Sequence, residues 1–365
     1  MKVLLWPSDE GGCGQYRMLL PSADLRAGGM DITVDPRCEE VLVHWSRPWK
    51  DQPRDAEVTA VKPMDYDVLV IQRPLSKHHV DMIPFIQANG TAVVVELDDD
   101  FWSIHKNNAS YDGMDPKQSP WFNHAHLARA CRLADWVTVS TPALRKVVPS
   151  SRVSVIRNCV PESYLTEERH PEANWEIFEN RPRLGWSGSP QTHPTDLQVM
   201  GTSIVDVTRA TGSVFFSIGS MHTPSILGFD GGEAAYVQWV EFDRYASVVT
   251  GLDVGLVPLT MSRFNQGKSW LKGLEYAALG VPFVASPTDE YRLLHDMGAG
   301  DLASSSYKWW ARTKRLLQNE EYRADRRGRG REVAGSWTYP SRSHEWAEAW
   351  ERGVAHHAAS PVPVP

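Results

Sequence analysis

The sequence is poor in cysteine and lacks any stretch that could cross a membrane. Only Cys13, Cys38, Cys131 and Cys159 occur in 365 residues, and no two are spaced as metal ligands. That excludes a disulfide scaffold and a zinc module; reduced thiols in a cytoplasmic protein are the expectation. No apolar run has the length of a bilayer-crossing helix. The opening "MKVLLWPSDE" turns polar too early for a secretory leader. Positive charge is not in excess either. Thirty-eight Lys and Arg face 45 Asp and Glu, a net charge of -7, so no global field attracts nucleic acid or an anionic membrane. No internal repeat is visible.

What is present describes an ordinary globular chain. Hydrophobic residues make up 42 % and charged ones 23 %, enough for two cores, and the length suggests two domains. Fifteen tryptophans point to aromatic packing without naming a ligand. Short apolar runs read as strands: "KVLLW", "DITV", "DVLVI", "AVVVEL", "VTVS" and "VSVI" in the first half, then "RLGW", "SVFFSIG", "VGLVPL" and "PFVAS". Helical stretches such as "HHVDMIPFIQANG", "HAHLARACRLADW" and "TDLQVMGTSIVDVTRATG" lie between them. Near-continuous apolar strands alternating with helices predict parallel sheets covered on both faces.

The rhythm breaks at "PESYLTEERHPEANWEIFENRPR", which is acidic and holds three prolines. The expected organisation is a first α/β domain over 1–162, a linker over 163–182 and a second α/β domain over 183–340. A C-terminal helix over 341–357 near the domain interface and a disordered tail over 358–365 follow. Two such domains would place a cleft at the carboxyl ends of their strands, where open α/β sheets bind ligands.

Two loops are built of small residues after a strand. "WPSDEGGCGQYRMLLP" offers Gly12 and Gly14, which allow close backbone approach, and Arg17, which favours an anionic ligand. The loop is not the dinucleotide fingerprint and reads equally as a tight turn. "LGWSGSPQTHPTDL" repeats the arrangement with Ser187, Gly188 and Ser189, a phosphate or sugar cradle or a capped turn ahead of a helix starting near Thr195. "VVELDDDFW" places Glu96, Asp98, Asp99 and Asp100 at the end of a buried strand. Carboxylates there can bind metal, act as a base or hold sugar hydroxyls, or cap the next helix and pair with arginines. Among His124, His126 and His193, only His193 follows a candidate loop. Asp98, Asp99, Asp100 and His193 are therefore the candidate catalytic residues.

"NQGKSWLKGLEYAALGVPFVAS" predicts a helix with Lys268, Lys272 and Glu275 on one stripe and Gly280 as its left-handed cap. Lys268 in the first turn would oppose the helix dipole, which favours anions there. "YKWWARTKRLLQNEEYRADRRGRGR" is locally basic. It reads as a solvated helix face rather than a phosphate-tracking surface. In "SRSHEWAEAWERGV", Trp346 and Trp350 share one helix face.

Taken in order, "GGCGQYRMLLPSADL", "ELDDDFW", "ADWVTVSTPAL", "VSVIRNCV", "LGWSGSPQTHPTDL", "LDVGLVPL" and "NQGKSWLKGLEYAALGVPFVAS" resemble GT-B glycosyltransferases, above all the retaining class called glycosyltransferase family 4. The resemblance spans nearly the whole chain and implies two Rossmann-like α/β domains whose parallel sheets face a central cleft. It implies a nucleoside-diphosphate sugar as donor, a UDP-sugar foremost, and no metal. Lys268, Ser269 and Lys272 would meet the diphosphate or sugar, Glu275 the ribose, and Gly12 and Gly14 the donor phosphate and acceptor. The family's earlier glutamate falls here on Gly267, a departure. The activity implied is hexosyl or pentosyl transfer.

The short, tryptophan- and arginine-rich style is similar to bacteriophage glycosyltransferases. It leaves the acceptor open among a small molecule, a glycan, a protein hydroxyl such as that of a virion protein, and a hydroxymethylated DNA base. The alternatives are a non-catalytic nucleotide-sugar or glycan binder and a sugar-nucleotide epimerase.

Overall fold

A computed structural model describes residues 1–46, 56–168 and 181–360. Most of the expected linker, 169–180, and the end of the expected tail, 361–365, lie outside the described residues. The chain divides into two compact units. The first holds Met1–Ile104, Ser110–Asn158 and the segment from Tyr339 onward; the second holds His105–Ala109 and Cys159–Thr338. The first domain thus ends before 162, the second before 340, and the C-terminal helix belongs to the first unit.

The first unit is built on a six-stranded parallel sheet, with β1 (Lys2–Trp6), β2 (Asp31–Val34), β5 (Val68–Gln72), β6 (Ala92–Leu97), β7 (Trp136–Val139) and β8 (Val153–Val155) in the order β2-β1-β5-β6-β7-β8. Every residue of β5 and β6 is buried, as strands covered on both faces require. A short antiparallel pair, β3 (Val43–Trp45) and β4 (Val58–Val61), stands apart and was not legible in the strand pattern. The stretch "HHVDMIPFIQANG" forms two helices, Lys77–Asp81 and Ile83–Ala88, because Pro84 fits only the first turn of the second.

Residues 12–27 run helically in three pieces: Gly12–Gly14, a π-helical turn Gln15–Leu19 and the α-helix Leu20–Ala27. A π turn disturbs the regular backbone ladder. Two groups of the returning C-terminal segment bond its carbonyls: Tyr339 Oη donates to Tyr16 O at 2.8 Å and Trp346 Nε1 to Arg17 O at 3.0 Å. The last helix, His344–Ala359, packs on β5, β6 and β7 and carries the buried Trp346 and Trp350.

The second unit carries a parallel sheet of β9 (Arg183–Ser187), β10 (Val214–Ile218), β11 (Ala234–Val237), β12 (Val254–Val257), β13 (Phe283–Ala285) and β14 (Asp301–Leu302), ordered β11-β10-β9-β12-β13-β14. Alternate residues feed two cores. Val214, Phe216 and Ile218 join one and Phe215 the other, as do Phe283 and Ala285 against Val284. Neither β11 nor the two-residue β14 was expected.

Two helix expectations change. The run from Thr195 is a 3₁₀ turn, Leu197–Met200, then the helix Ser203–Thr211. Gly201, at φ +56°, interrupts it. The run from Asn265 is also two helices, Arg263–Gly267 and Leu271–Ala278, with Lys268 extended between them at ψ 141°. Gly280 follows the second at φ +69°, as expected of a left-handed cap.

The basic segment lies in the helices Ser306–Gln318 and Glu320–Gly335. Several of its arginines are spent inside the fold. Arg326 pairs with Asp301 at 3.1 Å, Arg327 donates to Gly280 O at 3.0 Å and Arg323 to Leu316 O and Leu317 O at 3.0 Å. These three side chains are half-buried and bonded into the fold, where a solvated helix face was expected.

Candidate functional site

In the second sheet the strand order reverses between β9 and β12, and ligands of open α/β sheets bind outside the carboxyl ends at such a switch point. The loop after β9 is Ser187-Gly188-Ser189. Gly188 adopts φ +155°, and a Cβ there would sit 2.7 Å from the Trp186 ring, so only glycine makes this turn. Ser189 O then accepts the amide of His193 at 3.1 Å, which turns the chain back.

His193 is held from two sides. Its ring stands edge-on to Trp186, with centroids 6.0 Å apart, and its Nδ1 lies 2.8 Å from Asp196 Oδ2. Asp196 is 3 % exposed and ties the β9 loop to the β12 loop. Its Oδ1 accepts from Thr260 N and Thr260 Oγ1 at 2.8 Å and from Asn265 Nδ2 at 2.6 Å. Burial disfavours its charge, but hydrogen bonds from His193 and Thr260 hold its carboxyl below the usual carboxylate range. Burial pushes the His193 imidazole down. The charges of Lys268 and Lys272 add to that, and Asp196 opposes it.

Lys268 and Lys272 therefore lie close enough to act on His193 and on each other. Burial, with Lys268 adding, lowers the Lys272 ammonium against the pull of Glu275. Lys268 Nζ stands 4.5 Å from the centroid of the Phe264 ring. Ser269 is half-buried between the two helices. Glu275 is 5 % exposed, and its Oε2 accepts from Tyr245 Oη at 3.1 Å. The structure thus brings His193, Lys268, Lys272 and Glu275 into one electrostatic neighbourhood. It adds Asp196, Thr260, Asn265 and Tyr245, which sequence reasoning missed. Only Asp196 left a trace there, three residues after His193.

Beside this neighbourhood, at the ends of β9, β10 and β11, lies an open cavity of about 800 Å³. Ser189, Gln191, Gly219, Met221, Tyr236 and Trp239 contribute to its walls. Trp239 among them is 69 % exposed.

The first unit collects its candidates differently. Gly14 is required by close approach, since a Cβ would lie 1.8 Å from Asp9 O, and its amide donates to Asp9 Oδ1 at 3.2 Å. That amide serves the loop itself, not an outside anion. A Cβ on Gly12 would meet nothing within 4 Å. Arg17 is corrected outright. It is 1 % exposed, with Nε 2.7 Å from Glu96 Oε1 and Nη1 donating to Ile156 O and Asn158 Oδ1 at 2.6 and 2.8 Å. The π turn buries it, and no ligand is needed to explain its charge.

Asp100 is also buried, and its Oδ1 accepts the amide of Trp102 at 3.2 Å in a tight turn. Asp98 and Asp99 are half-buried and face Arg73, whose charge they sustain with Asp9 against the cost of burial. Arg73 itself holds the left-handed φ of +50°, a costly conformation for a residue with a side chain. The Cys13 thiol nearby is pushed well above its usual value by burial and by Asp98, so it is no thiolate nucleophile. His124 and His126 lie in the helix Asn123–Leu133 of this unit. Among the described residues no group of three His, Cys, Asp or Glu could hold a metal, and no helix is long and apolar enough to cross a membrane.

No protein-family model matches the chain, and no curated protein matches it in sequence. Its fold does match solved structures over nearly its whole length. A sucrose-phosphate synthase from Thermosynechococcus elongatus is 13 % identical, with 98 % of this chain and 99 % of that chain covered and a TM-score of 0.62. HepE of Anabaena, in complex with UDP and glucose, is 12 % identical over 96 % and 99 %, with a TM-score of 0.61. WaaG, a glycosyltransferase involved in lipopolysaccharide biosynthesis, is 12 % identical over 96 % and 99 %, with a TM-score of 0.60. At such identity the likeness establishes architecture.

Proposed function

We propose, from a chain with the GT-B fold, two α/β units each on a parallel sheet, that this protein is a glycosyltransferase using a nucleoside-diphosphate sugar. The observation that carries this reading is the pair Lys268 and Lys272 at the β9–β12 switch point. Lys272 is depressed by burial and by its like-charged neighbour. Two ammonium groups gathered in one electrostatic neighbourhood suit a diphosphate, whose oxygens both can reach. The leaving diphosphate gains charge as the glycosidic bond breaks, and fixed ammonium groups stabilise that charge without reorganising.

In this reading Glu275 holds the ribose, Ser187 to Ser189 line the phosphate path, and the cavity beside Trp239 takes the base. HepE binds UDP and UDP-glucose, so a UDP-sugar is the first donor to test. The two lysines perform the charge neutralisation a metal would otherwise provide, so transfer should survive a chelator. Asp98 and Asp99 beside Arg73 are the acceptor-side candidates, the acceptor being a glycan, a protein hydroxyl or a modified DNA base. A retaining outcome rests on the sequence resemblance and is read from the anomeric proton of the product.

The test is release of free UDP from UDP-glucose, with and without EDTA. Wild type should hydrolyse the donor slowly under both conditions. Lys268→Ala and Glu275→Ala should each lose about tenfold or more in kcat/KM, the loss of roughly one charged contact. Unchanged kinetics in both variants would overturn the assignment. Gly267, standing where the resembled family has a glutamate, favours one second reading, a non-catalytic donor-binding protein. Tight UDP-glucose binding with no hydrolysis would select it.

A further inference from the structure

His193 is oriented by a carboxylate that has no protons to give. Asp196 is ionised and accepts only, so the hydrogen in the 2.8 Å contact belongs to His193 Nδ1. Its partner oxygen is filled by Thr260 and Asn265. In the neutral ring the remaining nitrogen, Nε2, is then an acceptor. The groups around it favour that neutral form: Lys268 and Lys272 repel a proton, the site is buried, and Asp196 alone opposes them.

An acceptor nitrogen does not bind a phosphate oxygen, because lone pair would face lone pair. It binds a hydroxyl. The same hub holds a second acceptor in want of a donor: Asn265 is 3 % exposed, and its Oδ1 has no hydrogen-bond partner among the described residues. Its amide orientation is secured by three acceptors on Nδ2, namely Asp196 Oδ1, Thr260 O and Thr260 Oγ1. A buried unpaired oxygen in a folded protein asks for an explanation, and a ligand hydroxyl is one.

We propose that His193 Nε2 accepts a hydrogen bond from a hydroxyl of the donor's sugar, with Asp196 as the positioning residue that fixes its tautomer. This rests on the donor reading above and divides the labour within it: Lys268 and Lys272 take the diphosphate, His193 takes the sugar. The site then selects donors by a hydroxyl at one ring position, not by charge.

The experiment compares UDP with UDP-glucose by titration calorimetry at pH 8, for wild type, His193→Ala, His193→Gln and Asp196→Asn. The readout is the sugar's gain, the ratio of the two dissociation constants. His193→Ala and Asp196→Asn should each lower that gain about tenfold while leaving UDP affinity within about twofold, as expected for one lost hydrogen bond. His193→Gln, whose Oε1 can replace Nε2, should recover part of it. In wild type the gain should fall as pH drops and the imidazole charges; in His193→Gln it should not. One deoxyglucose donor should lose the same factor in wild type and nothing in His193→Ala.

Equal losses for UDP and UDP-glucose would overturn the proposal by placing His193 on the diphosphate or in the scaffold, and an unchanged gain would overturn it as well. Either result leaves the donor reading intact. If wild type binds neither compound, nor the guanosine and thymidine pairs tested alongside, both readings fall.

Discussion

Arg17 and Glu96 form a charge pair with both side chains 1 % exposed, so each depends on the other for its solvation. Thr138 Oγ1 donates to the same carboxylate. Replacing Glu96 with Gln would leave a buried guanidinium without its counter-charge, and we expect a loss of about 3–5 kcal/mol in urea unfolding. The double replacement Arg17→Met with Glu96→Leu should recover much of it, since an apolar pair needs no solvation. A single-variant loss below about 1 kcal/mol would contradict the pairing.

His79 offers a second test at this scale. It stands edge-on to Trp6, and burial, with the charge of His78, pushes its imidazole down from 6.5 to about 4. The unfolded chain takes up that proton near 6.5 and the folded chain only near 4. Its contribution is therefore full above 6.5 and is lost as pH falls toward 4, at about 1.4 kcal/mol per pH unit. Wild type should lose more stability between pH 7.5 and 5 than His79→Phe; parallel losses would sink the claim. The role of Arg17 was not legible in the sequence. An arginine after three glycines reads as an anion ligand, whereas its partner stands 79 residues away.

At the scale of elements, the informative feature is the break at Lys268. The heptad-like spacing of Lys268, Lys272 and Glu275 suggested one helix, with Lys268 opposing the dipole at its start. The chain instead ends one helix at Gly267 and opens the next at Leu271, so Lys268 follows a carboxyl end, where a cation is welcome. The misfit passes to Lys272, second residue of Leu271–Ala278, a helix start with no side-chain cap and no acidic residue in its first turn. Lys272→Met should stabilise the unliganded protein by about 0.5–1 kcal/mol, the size of an unfavourable dipole term, while weakening UDP binding about tenfold or more. Destabilisation together with unchanged affinity would refute this trade. Sequence periodicity placed Lys272 and Glu275 on one helix but wrongly extended that helix back to Lys268, because Ser269 and Trp270 are neutral in helix propensity and carry no stop signal.

For the whole molecule, ten strands and the parallel, doubly covered sheets were legible because buried parallel strands are almost uniformly apolar. The short β11 and β14 were not, since four and two residues hold too little pattern. Nor was the address of the final helix. An amphipathic face says that it must be buried but not where. Its place in the first unit is set by pairs such as Ser343 with Asp24 and Tyr339 with Tyr16, more than 300 residues apart in sequence. The candidate site was legible as Lys268, Lys272, Glu275 and His193. The Asp196–Thr260–Asn265 hub was not, because it joins two loops 64 to 69 residues apart.

If this site binds a nucleoside diphosphate through its lysines, the ligand must raise the melting temperature. Wild type in UDP at about one hundred times its dissociation constant should gain roughly 2.7 kcal/mol of stability, seen as a rise in Tm that grows with concentration. Lys268→Ala with Lys272→Ala should show little or no rise at the same concentration. An equal rise in the double variant, or none in wild type with any nucleoside diphosphate, would mean that the two lysines do not hold a nucleotide.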